Sequence, residues 1–257
     1  MGATIFVALF SFTAHAEMYW SPAPAKHGHG GHDRHAAKGF VLNDGEGARF
    51  ELLNPQLSSV AVEREHGHVM VKSTGMDNYH ALVATRGDGR LQESATRYIY
   101  MFGKPSGESP SRIMGFEKAA LEIEPSPYAR EHWRYLSATQ ARFLVRYRGA
   151  VLSNTSVMMR TTNGSNSALK TDADGVLTVE LPEDFFNIKP GQMENRPGEF
   201  ILTARHSDGG SDYITTFSSN YHVNPEHWQS TSMGAGVVVA GMLIGGVVLV
   251  SRRRKEK

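Results

Sequence analysis

The chain has 257 residues, with 27 basic against 26 acidic side chains and a formal net charge of +1. Such a balance excludes a polyanion binder, which needs a basic field, while 40% hydrophobic content is enough for the packed core of one large or two small domains. With no cysteine, disulfides, thiolate catalysis and zinc-thiolate sites are excluded, and histidine, carboxylate and methionine are the remaining metal ligands.

Residues 1–16 read as a signal peptide. Ile5 to Phe10 is an apolar core, and Ala14-His15-Ala16 is an A-x-A site with cleavage expected before Glu17, although the usual positive n-region is missing. Residues 17–39 are rich in Pro, Ala, Gly and His without apolar periodicity, and are expected to be flexible and exposed. Within them His27, His29, His32, Asp33 and His35 place four imidazoles and one carboxylate in nine residues, with glycines between that let the backbone wrap an ion. Imidazole suits Ni, Co, Cu and Zn, so a divalent transition metal is the expected ligand; the alternative is an inert linker.

Residues 40–125 form an expected first β unit. Val60-Ala61-Val62, Val69-Met70-Val71, Tyr79 to Ala84 and Tyr98 to Phe102 are β-branched or aromatic runs bounded by Gly67, Gly75, Arg86-Gly87-Asp88-Gly89 and Gly103-Lys104-Pro105. His66-Gly67-His68 adds an H-x-H at a turn, where two imidazoles share a strand face and can chelate, although solvated turn histidines are the commoner case. Residues 126–140 are a connector, and its stretch from Glu131 to Gln140 is the one helical candidate outside the C-terminal run.

Residues 141–224 form an expected second sandwich. Phe143, Val145 and Tyr147 share one face and Leu144, Arg146 and Arg148 the other. Thr171-Asp172-Ala173-Asp174-Gly175 reads as a hairpin corner before Leu177, Val179 and Leu181; a calcium loop would need a third carboxylate and a closing glutamate. Phe200 to Ala204 and Tyr213 to Phe217 complete the unit, followed by a stalk over 225–232.

The run 233–250 is uncharged, and eighteen residues at about 1.5 Å each span about 27 Å, enough to cross a bilayer. The basic tail 251–257 places the C-terminus in the cytoplasm and the rest outside, a single-pass protein facing the periplasm from the bacterial inner membrane. Gly241 and Gly245 form a GxxxG, a possible homodimer contact, with a simple tether as the plainer alternative.

Leu121 to Pro125, Phe143 to Leu152, Thr171 to Gly175 and Leu202 to His206 resemble the NikM-like family, over roughly Phe50 to Val223. The resemblance implies a periplasmic accessory of nickel or cobalt uptake, partnered by a membrane transporter component. It transfers no catalytic residue. Two features depart from the family pattern: Tyr19-Trp20 precede the first imidazole by seven residues, and Val151 stands where proline is frequent.

The expected fold is therefore all-β, with two small antiparallel sandwich units of immunoglobulin or transthyretin type plus one C-terminal transmembrane helix. No nucleophile elbow or phosphate loop is present, so an enzyme is not expected, nor a nucleic-acid partner. Membrane-anchored metal handling, with His27, His29, His32, Asp33, His35, His66 and His68 as ligands, is the leading expectation. The alternative is a structural or protein-interaction sandwich with no metal role.

Overall fold

The structure, a computed structural model, describes residues 17–24, 37–65, 67–127, 134–191 and 194–229. The first part of the chain forms β1 (Tyr19–Pro22), β2 (Lys38–Asn43), β3 (Arg49–Leu53), β4 (Ser59–Val60), β5 (Glu63–Glu65) and β6 (His68–Val71). It continues through β7 (Met76–Gly87), β8 (Leu91–Met101), β9 (Lys104–Pro105), α1 (Pro110–Gly115) and β10 (Leu121–Pro125). Then come β11 (Tyr135–Leu136), β12 (Gln140–Tyr147), β13 (Ala150–Val151), β14 (Ser156–Thr161), β15 (Asn166–Lys170), β16 (Val176–Glu180), β17 (Gly198–Asp208) and β18 (Ser211–His222). The described chain is all-β, arranged in three sheets.

A ten-stranded sheet is the middle layer, in the order β15-β14-β17-β18-β8-β7-β3-β4, with β11 against β18 and β9 against β7. Outer sheet I, β1-β2-β6-β5, covers one face. It packs Met18, Trp20, Phe40, Val69 and Val71 on Leu52, Leu82, Ala84, Ala95, Ile99 and Met101. Outer sheet II, β10-β12-β13 with β16 beside β12, covers the other face. It packs Leu121, Ile123, Phe143, Val145, Leu177 and Val179 on Val157, Met159, Phe200, Leu202, Phe217 and Tyr221. Strand alternation divides the central sheet between the two cores: Thr216 and Ser218 donate to the Met18 and Trp20 carbonyls of sheet I, while Phe217 and Tyr221 join the core under sheet II.

The two expected units thus share a sheet. β18 lies parallel to β8, from Asp212 opposite Leu91 to Phe217 opposite Thr96. A parallel neighbour needs a long crossover, and the chain between β8 and β18, which includes outer sheet II, supplies it. The antiparallel expectation holds for the long hairpins β7–β8 and β17–β18 but fails at this joint.

Three further expectations are corrected. Glu17 to Pro22 is not exposed linker: β1 pairs with β2, and Met18 and Trp20 are fully buried because their large apolar surfaces fill the core under outer sheet I. The Asp172–Gly175 turn is not a hairpin tip, since β15 pairs with β14 of the central sheet and β16 with β12 of outer sheet II. The turn chemistry itself is as read, with the Asp172 carboxylate accepting from the Asp174 and Val176 amides and Gly175 at φ 74°, but burial of Leu177 and Val179 sends the chain across the core. Within the described part of the connector, residues 134–140 form β11 and a turn rather than a helix, because the Tyr135 ring stacks on Phe143 and lies edge-on to Phe200.

The helix that does form, α1, starts at Ser109-Pro110, where the serine hydroxyl accepts from the Ser111 amide. It closes Ile113 and Met114 over Tyr79, Ala81 and Val83. Among the described residues no helix is long and apolar enough to cross a membrane, and the run 233–250 with Gly241 and Gly245 lies outside them.

Candidate functional site

Along β18 the neighbour on one edge changes. It is β8 as far as Phe217 and β11 from Tyr221, and among the described residues no strand pairs that edge over Ser218–Asn220. β8 meanwhile stays on β7 as far as Met101, while its rungs with β18 end at Thr96. The central sheet forks here. Unpaired strand edges are costly in an interior and recruit partners where they are accessible.

Arg97 is the first residue of β8 past the last rung. Its guanidinium donates to the Trp20 carbonyl at 3.3 Å, Glu199 Oε1 at 2.8 Å, Ser218 Oγ at 3.4 Å and Asn220 Oδ1 at 2.5 Å, tying β8, β1, β17 and β18 together at the crotch. Burial lowers the Arg97 pKa and raises that of Glu199, and each charge opposes the effect on the other. From β2 of outer sheet I, Lys38 Nζ donates to the Tyr100 carbonyl of β8 at 3.1 Å.

The fork opens into two adjoining hollows. On the side of outer sheet I the hollow holds about 610 Å³ and includes Pro22, Lys38, Phe40, Arg97, Ile99 and Phe102; on the side of outer sheet II it holds about 200 Å³ and includes Tyr79, Met114, Pro125, Tyr135 and Phe217. Tyr98, Tyr100, Arg134, Ser219, Asn220 and His222 line both. The tyrosines build the wall on the side of sheet II, with Tyr79 edge-on to Tyr100 at 5.1 Å and Tyr98 against Phe217 at 6.2 Å. No aspartate or glutamate is among the described lining residues. Desolvation lowers the Lys38 pKa although the residue keeps solvent contact, and desolvation with the nearby Arg134 charge lowers that of His222. Among the described residues the lining is cationic and aromatic.

The metal ligands expected from sequence are not assembled by the described residues. His27, His29, His32, Asp33, His35 and His66 lie outside them, and His68 stands half-buried at the start of β6, opposite Glu65. Among the described residues no group of three histidine, aspartate or glutamate side chains could hold an ion. His80 is a core histidine, fully buried, with Nε2 2.6 Å from Thr74 Oγ1 and Nδ1 3.1 Å from the Asn78 carbonyl. Sequence reading missed Lys38, Arg97 and Arg134. One signal was present: Tyr98, Tyr100 and Phe102 fall on one strand face, bulkier than a packed interior needs and more apolar than a solvated face.

No family model matches the chain, and no curated protein matches it. Among solved structures it is similar to one from work on host cell surface retention of a 1.5-MDa bacterial ice-binding adhesin, at 13% identity and TM-score 0.26, covering 81% of this chain and 65% of that one. A Ca²⁺-stabilized adhesin that helps an Antarctic bacterium reach out and bind ice aligns at 15% identity and TM-score 0.28, over 74% of this chain and 45% of that one. The D0-D1 domain of Intimin aligns at 16% identity and TM-score 0.24, over 72% of this chain and 91% of that one. The chain spans less than two thirds of either adhesin's length. At these TM-scores the likenesses assign neither a family nor a function.

Proposed function

We propose that this chain is a non-enzymatic protein-interaction module of the bacterial envelope, two sandwich-like halves carried on the apolar run 233–250 as a membrane tether. The observation that carries the reading is the fork between β8 and β18, where the two strands part after Phe217 and Thr96 beside an aromatic and cationic hollow. The test is a photo-crosslinking residue at Ser219 of the full chain in its native membrane, with the same residue at Lys170 on β15 as control. A discrete protein adduct from Ser219 and not from Lys170, identified by mass spectrometry, is expected. No adduct from either position sinks the interaction reading.

A second reading, transition-metal handling as an accessory of nickel or cobalt-type uptake, rests on the sequence density of imidazoles from His27 to His35. Neutral imidazoles are the ligands, so binding should weaken as pH falls through about 6.5. Titration of the full chain with Ni²⁺, Co²⁺, Cu²⁺ and Zn²⁺, beside a copy with His27, His29, His32 and His35 changed to alanine, decides it. Weak and equal binding by both removes this reading and leaves the first untouched.

A further inference from the structure

The chain between β16 and β17, described except at 192 and 193, returns to the central sheet at the end where β18 leaves it, since Gly198 lies opposite Tyr221. It is tied at two points. The Asp184 carboxylate accepts from Thr161 Oγ1 at 2.6 Å, from Asn163 Nδ2 at 3.2 Å and from the Tyr221 hydroxyl. Asn195 accepts from the Lys189 amide at 2.9 Å and donates to the Lys189 carbonyl at 2.7 Å. Between these anchors Phe185 turns inward, its ring 4.9 Å from that of Tyr221, and Phe186 turns outward. At 81% exposure Phe186 is the most exposed large apolar side chain among the described residues. Bonds on both flanks hold its ring out in water, where an apolar surface is unfavourable.

The same end is where the chain heads for the apolar run. His227 Nε2 lies 3.7 Å from Glu183 Oε1, and Phe186 follows Glu183 by three residues, at most about 10 Å of extended chain. Met233, the first residue of the run, follows His227 by six residues, at most about 21 Å. We propose that Phe186 inserts into the lipid surface at the boundary of headgroups and acyl chains, seating the domain on the membrane that the run 233–250 enters. The proposal rests on the tether reading above. Lys189 and Arg196 are exposed but offset by the exposed Glu183 and Glu194, so the contact is apolar rather than electrostatic. A single protruding ring selects lipid over a protein partner, whose interface would bury about 800 Å² on each side.

The chain has no cysteine, so one introduced thiol carries one spin label. Phe186→Cys, Lys170→Cys on β15 and Ile244→Cys in the run are each made in the full chain, labelled with a nitroxide and reconstituted into vesicles of phosphatidylethanolamine and phosphatidylglycerol. Relaxation by oxygen, which concentrates in the bilayer, against chromium oxalate, which stays in water, reports the depth of each label. The label at 186 should lie about 5–10 Å into the boundary, as the apolar face of an interfacial segment does, and the label at 170 in water. Because the ring is exposed, the thermal melt of the Phe186→Cys protein should match the parent's. A label at 186 as accessible to chromium oxalate as the label at 170, with the label at 244 in the bilayer, overturns the proposal and leaves the tether standing. A label at 244 in water removes the tether and the proposal together. Shielding of the label at 186 from both reagents means that protein covers this position, which also overturns the proposal.

Discussion

Arg97 and Glu199, 102 residues apart in sequence, form a 2.8 Å ion pair with side chains 7% and 13% exposed, joining β8 to β17 across the strand between them. Arg97 also takes Asn220, Ser218 and the Trp20 carbonyl, so its loss strands several buried acceptors at once. Replacing Arg97 by alanine is expected to destabilise the fold by about 3–5 kcal/mol, because Glu199 is left buried and unpaired. Adding Glu199→Gln should recover part of it. Urea unfolding followed by circular dichroism measures both; a single variant within about 1 kcal/mol of the parent would show that the pair is better solvated than its burial indicates.

Trp20 tests the claim that β1 belongs to the core. Its indole is fully buried, donates to the Ala95 carbonyl at 3.1 Å and lies edge-on to Phe50 at 6.2 Å. Trp20→Ala should destabilise by about 3–5 kcal/mol, as for large aromatic truncations in cores. A neutral result would return residues 17–22 to the status of linker.

The strand β10 buries both of its faces, Leu121 and Ile123 in the core and Glu122 and Glu124 against the chain around α1. Lys118 makes that possible: its ammonium sits 2.9 Å from Glu122 and 3.4 Å from Glu124, donates to the Ile113, Met114 and Phe116 carbonyls, and is 1% exposed. Arg146 pairs with the second oxygen of Glu124. Burial pushes the Glu122 pKa up and Lys118 pulls it back. Lys118→Met is therefore expected to destabilise by about 3–5 kcal/mol, and Lys118→Met with Glu122→Leu to recover most of that, since one charge of each sign then leaves together. Chemical denaturation of the three proteins decides it, and failure of the pair to recover would mean that the carbonyls, not the carboxylates, are what Lys118 serves.

His80 sets a pH dependence. Burial is the largest cause holding its pKa below the ordinary value of 6.5; repulsion from Lys38 adds to it and the hydrogen bond to the Asn78 carbonyl opposes it. The folded ring therefore stays neutral where the unfolded ring takes a proton. Its stabilising effect is complete above about pH 6.5 and declines as pH falls below that, the unfolded state binding the extra proton. His222 shifts in the same direction, so the two act together. Unfolding midpoints measured from pH 8 to 5 should fall more steeply below pH 6.5 in the parent than in His80→Gln. Parallel curves would show that the imidazole is accessible to protons in the fold.

What the sequence determined by itself is what local chemistry controls. Period-two alternation placed Phe143 and Val145 inward on β12, and Gly87-Asp88-Gly89 marked the β7–β8 hairpin because a tight reversal needs those residue types. Asp172 and Gly175 likewise specified their turn. Which strands that turn joins was decided by the tertiary structure, since the same local geometry serves a hairpin or a crossing between sheets and burial of Leu177 and Val179 selects the crossing. Nor does any local pattern announce a parallel rung between Asp212 and Leu91, or that β18 exchanges β8 for β11 after Phe217. Lys38, Arg97 and His222 look like ordinary surface residues in the sequence. They become one site because strands distant along the chain come side by side and then part, a relationship fixed by long-range packing.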